Sequence, residues 1–62
     1  MKQRAKDGER YFFINEYGEI WSDIERHLFE DNWRHKAGNY FLSWENAETA
    51  RTRSKEIYLQ LQ

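Results

Sequence analysis

AGNYFLSWENAETAR, residues 37–51, runs from a glycine-asparagine turn through three large apolar residues into a helix start, and this junction decides the fold. Gly38 and Asn39 are turn formers; Tyr40, Phe41 and Leu42 are too short a run for a helix and read as a brief strand. Ser43 is an N-cap residue whose hydroxyl can accept a first-turn amide. Glu45 sits where the helix dipole favours an acid, and Leu42 is placed to staple against Ala47. From Trp44 onward Ala47, Ala50, Ser54, Ile57 and Leu61 follow the spacing of a helix laid on a sheet, with small residues where the approach is close. No proline or glycine interrupts this stretch, so the helix is expected to run to the chain end.

Upstream, YFFIN at residues 11–15 is aromatic and β-branched, and NEYG supplies turn residues with a glycine suited to a left-handed backbone, which predicts a hairpin. The return strand EIWSDIE alternates, with Ile20, Ser22 and Ile24 on one face and Trp21, Asp23 and Glu25 on the other. Residues 26–36 are expected to continue this strand into a long irregular loop. The alternative is a helix, opened by a capping box at SDIE and striped by Ile24, Leu28 and His35. Residues 1–10 hold one aliphatic side chain beyond Met1 and no period, so a disordered or frayed basic arm is expected there. The resulting prediction is an α+β fold: a small three-stranded antiparallel sheet covered by one C-terminal helix, as a single domain over residues 11–62.

A chain of 62 residues builds a core of only about 3–5 kcal/mol, and without cysteine it has neither disulfides nor thiolate zinc sites. The available supports are aromatic bulk, eleven Phe, Trp and Tyr in all, and self-association as a homo-oligomer. No apolar run approaches a membrane span and no secretory signal is visible, so a cytoplasmic protein is expected. Charge is uneven around a net of −1: residues 1–10 carry +2, residues 11–33 carry −5 and residues 34–62 carry +2.

His27, Glu30, Asp31 and His35 have metal-ligand side chains, and on a helix His27, Asp31 and His35 would share a face. Their spacing matches no known site, and no metal or cofactor is expected. No enzyme is expected either: there is no phosphate loop and no cysteine nucleophile. Ser22, Ser43 and Ser54 fit strand, cap and close-packing roles, and so small a fold leaves little room for a pocket. More apolar side chains are present than one sheet face can hide. Trp21, Phe29 and Trp33, with the acids Asp23 and Glu25, are therefore the candidate surface for a protein partner, unless the segment 26–36 uses Phe29 and Trp33 as a lid. The alternative is nucleic-acid contact through Lys2, Arg4, Lys6 and Arg10 together with Arg51, Arg53 and Lys55.

YFFINEYGEI and GNYFLSWENAETARTRSKEI together resemble short proteins of unknown role encoded in phage and prophage small-gene clusters. The resemblance covers residues 11–58 and implies a protein partner, such as a host factor or defence system. A second resemblance is to the AP2-like arm-binding domains of phage integrases, through Phe41, Ser43, Ala47 and Ala50. It implies three strands, a helix and DNA reading by a basic sheet. Here the hairpin from Tyr11 to Glu25 contains no basic residue.

Overall fold

Asn15 organises the hairpin turn. Its carbonyl accepts the Gly18 N–H at 3.0 Å, and its side-chain oxygen accepts the N–H groups of Tyr17 and Glu19, each at 2.9 Å. Gly18 has φ of 78°, a conformation that side chains resist. In the computed structural model, which describes residues 3–62, this turn joins β1 (Arg10–Ile14) to β2 (Ile20–Ile24), paired antiparallel with Phe12 opposite Ser22. Two helices follow, α1 (Phe29–Ala37) and α2 (Trp44–Gln60). The fold class is α+β, with two strands and two helices rather than three and one.

The expected third strand survives as one bridge. Phe41 exchanges both backbone hydrogen bonds with Phe12, at 2.7 and 2.8 Å, on the free side of β1. It extends no further because Ser43 already caps α2, accepting the Asn46 N–H at 3.1 Å. That cap is where the sequence placed it.

The expected loop at 26–36 is corrected to a helix. Leu28 is the N-cap, and its N–H donates to the Asp31 carboxylate at 3.1 Å. This is half a capping box, since leucine has no oxygen with which to reciprocate. Glu30 and Asp31 lie in the first turn and Arg34, His35 and Lys36 in the last, both favourable to the dipole. Gly38, with φ of 83°, ends the helix; its N–H reaches the His35 carbonyl at 3.2 Å and the Asn39 N–H reaches that of Arg34 at 3.0 Å. The SDIE capping box of the sequence reading is not used, because Asp23 and Ile24 are still in β2.

The two faces of the hairpin are partnered differently. Tyr11 and Phe13 meet side chains of α1 on one face, and α2, which also contacts both strands, takes the other with Phe12, Ile14, Ile20 and Ile24. Ala47 is the fully buried residue of α2. The helix nevertheless outruns its support: seventeen residues span about 25 Å, whereas a five-residue strand spans about 17 Å. Ile57 and Leu61, expected on the sheet, are therefore exposed on the overhang, together with Tyr58 and Leu59.

Over its described residues the basic arm is a strap rather than a frayed end. Ala5 is buried and its N–H donates to the Tyr40 hydroxyl at 3.0 Å, while the Gly8 N–H donates to the Glu25 carbonyl at 2.9 Å. Its anchors are polar, so hydrophobic periodicity carries no trace of them.

Candidate functional site

The interior on the α1 side is built from aromatic rings and carboxylates. Tyr11 and Tyr40 stack with centroids 4.2 Å apart, and each phenol donates to a buried acid. Glu25 is 0% exposed. Its carboxylate accepts Arg4 Nε at 2.7 Å, Arg4 Nη2 at 3.2 Å, the Tyr40 hydroxyl at 2.7 Å and the His27 N–H at 2.9 Å. The last of these supports His27 at a positive φ of 55°. Asp31 is 2% exposed and accepts the Tyr11 hydroxyl, the Arg26 N–H at 3.0 Å and the Leu28 N–H at 3.1 Å. Arg34 closes this group, donating to Tyr11 Oη at 2.8 Å and to Asp23 Oδ2 at 3.1 Å, with its guanidinium 3.8 Å from the Phe13 ring centre.

These contacts set the ionisation of the site. The hydrogen bond from the Arg4 guanidinium, with those from Tyr40 and His27, lowers Glu25 to about 2 against the opposing effect of burial. Burial pushes Asp31 up, but the hydrogen bonds from Tyr11, Arg26 and Leu28 outweigh it and leave its pKa lowered. Burial raises both Tyr11 and Tyr40 to about 12, reinforced by the acid each faces. A carboxylate with a lowered folded pKa stabilises the fold fully above its ordinary value, 4.5 for Glu25, and that stabilisation is lost as pH falls towards about 2. Urea denaturation is expected to show a midpoint that falls steadily between those two pH values and a Glu25→Gln midpoint that falls less, by the share due to Asp31 alone. Parallel profiles for the two proteins would contradict this assignment.

The proposed partner residues divide. Phe29 is 75% exposed and Trp33 63%, stacked at 6.0 Å on the face of α1 opposite Asp31. The segment 26–36 does fold back, but its inward side chains are polar, so Phe29 and Trp33 are not a lid. With Glu30 and Arg34 they line a shallow open recess of about 420 Å³. Trp21 is 54% exposed, with its ring edge-on to Phe13 at 6.4 Å. Asp23 is half-buried between Arg34 and Arg26. Glu25 is corrected from a surface acid to a buried anchor, because β2 ends there and the strap covers it.

Among the described residues, three of the candidate basic side chains are taken up in separate contacts. Arg4 is held by Glu25 and by Asn32 Oδ1 at 2.6 Å, Arg10 donates to Ser22 Oγ at 2.7 Å and Arg51 pairs with Glu48 at 2.8 Å. Lys6, Arg53 and Lys55 are exposed, and Lys2 lies outside the described residues. Of the ligand-type residues, His27 precedes α1 and pairs with Asp7, while Asp31 is turned inward, so the shared helical face does not form. Beneath the overhang of α2 an open cleft of about 1170 Å³ runs past Ile14, Tyr17, Phe41, Lys55 and Tyr58, roomier than the sequence suggested. Sequence reasoning also missed Tyr11, Tyr40 and Arg34 as organisers of the interior. The signal available for α1 was its acidic first turn and basic last turn ahead of Gly38.

No protein-family model matches this chain, and neither a curated protein nor a solved structure matches it.

Proposed function

We propose that this chain is a non-enzymatic interaction module that binds a protein partner through Phe29 and Trp33, with Trp21 and Asp23 contributing from β2. The observation that carries this reading is the exposed Phe29–Trp33 stack on the outward face of α1. Leaving two large rings in water forgoes burial of roughly 150–250 Å² each, in a fold short of core, and such side chains are typical binding anchors. The resemblance to small phage proteins supports a host or phage protein in the cytoplasm as that partner.

The test begins with capture from a bacterial lysate on the immobilised protein, followed by calorimetry with the purified captured species. Phe29→Ala and Trp33→Ala are expected to keep the native circular dichroism spectrum and to weaken binding by roughly 30-fold or more, the usual cost at a hot spot. Unchanged affinity in both variants would sink the reading. Affinity for duplex DNA that falls steeply with salt and disappears in Arg53→Ala or Lys55→Ala would replace it with the nucleic-acid reading.

A further inference from the structure

The hairpin has two edges, and they are treated differently. The Asn15 N–H bonds the Glu19 carbonyl at 2.8 Å and the Glu25 N–H bonds that of Glu9 at 2.9 Å. With the observed register, the odd-numbered residues therefore bond across the hairpin, and the even-numbered ones direct N–H and C=O outward. On β1 the outward groups of Phe12 and Ile14 are closed. Phe12 exchanges both of its bonds with Phe41, and Ile14 exchanges both with the Asn39 side chain, at 2.8 and 2.7 Å.

On β2 the outward residues are Ile20, Ser22 and Ile24. The Ile24 N–H turns onto Asp23 Oδ1 at 2.8 Å. Among the described residues β1 is the only strand paired with β2, and Trp21 and Ser22 are both exposed in the middle of this edge strand. Natural edge strands are usually guarded by charged side chains, above all lysine, by proline or by a bulge. IWSDI has no lysine or proline and its pairing with β1 is unbroken; its one charge, Asp23, is taken up by Arg34 and Arg26.

We propose that this edge pairs with the β2 edge of a second copy, antiparallel about a twofold axis at Ser22, to form a continuous four-stranded sheet. The residues favour that register. Ser22 falls opposite its own counterpart, where the two hydroxyls can bond. Ile20 falls opposite Ile24 of the second copy, apolar against apolar on the α2 face, and Trp21 falls opposite Asp23. A shift of two residues either way sets Ser22 against an isoleucine. To complete the ladder the Ile24 N–H leaves Asp23, whose carboxylate keeps Arg34 and Arg26. An isologous contact of this kind closes after two copies. Phe29 and Trp33 take no part, so their variants test the proposed partner site separately, whereas Trp21 and Asp23 flank the seam and belong to both surfaces.

A single strand pair lies at the small end of the interface range, so a dissociation constant between about 1 μM and 1 mM is expected. The test combines sedimentation equilibrium with NMR amide exchange on the full chain, from about 10 μM to 1 mM. The expected result is a dimer at the upper concentrations, with the Ile20 and Ser22 amides gaining protection as the dimer forms. Ser22→Lys sets two like charges on the axis and is expected to weaken association about ten-fold or more while the fold is retained. Ser22→Pro removes an outward donor that β1 does not use and should act in the same direction; the lysine variant decides the matter if the proline variant fails to fold. A monomer at 1 mM would overturn the proposal. So would a dimer in which the Ser22 amide exchanges freely and Leu61→Lys, not Ser22→Lys, dissolves the contact. Protection of these amides by an added extended peptide but not by a second copy would also overturn it, and would assign the edge to a heterologous strand.

Discussion

Glu25→Ala is expected to remove most of the stability of the fold and to leave a substantial unfolded fraction in water at room temperature. The substitution removes the acceptor of four donors drawn from three segments, Arg4, His27 and Tyr40. Breaking a buried ion pair by deleting one partner costs about 3–5 kcal/mol; Arg4 retains some access to water, which places this case near the lower figure. A fold of this size has about that much stability in total. Urea titration followed by circular dichroism measures the effect directly. A loss below about 1 kcal/mol would show that Glu25 behaves like a surface acid. Glu25→Gln keeps one acceptor oxygen but turns an amide towards Arg4, and an intermediate loss is expected.

Asp31→Ala is expected to cost about 3 kcal/mol, because it orphans the buried Tyr11 hydroxyl and the N–H groups of Arg26 and Leu28 together. Its effect is also local. Asp31 is the acid at the start of α1, so those nine residues should melt ahead of the seventeen of α2. Site-resolved hydrogen exchange is expected to show α1 amides losing protection at denaturant concentrations where α2 amides keep theirs. Simultaneous loss in both helices would mean that α1 and α2 form one cooperative unit and that the role of Asp31 is global.

The contrast between these two acids and Ser43 shows what the sequence made legible. Ser43, the NEYG turn and the start of α2 follow local rules that act over three or four residues, and each stands where those rules put it. Helix α1 has no apolar stripe on its inward face to mark it in the sequence, because that face presents Asp31 and Arg34 to Tyr11 and Asp23. Leu28, counted towards such a stripe, is instead the exposed N-cap. Glu25 was placed on the surface for a similar reason: alternation gave its face correctly, but only Arg4 and Tyr40, 21 and 15 residues away, determine that this face is covered. Phe29 and Trp33 were recognised as surplus to the core, and their exposure follows from the polar character of the opposite side of their helix.

The tyrosine–carboxylate pairs also bear on which structure the chain selects. Both faces of the hairpin are apolar, Phe12, Ile14, Ile20 and Ile24 on one side and Tyr11, Phe13 and Trp21 on the other, so burial alone barely distinguishes β1 and β2 from a pairing slipped by one residue. A slip would turn Tyr11 away from Asp31 or carry Glu25 out of reach of Tyr40 and Arg4, leaving carboxylates buried among unmatched donors. The polar interior thus makes one alignment of an otherwise ambiguous aromatic ribbon far better than its neighbours, and gives a chain with little hydrophobic core a single folded state.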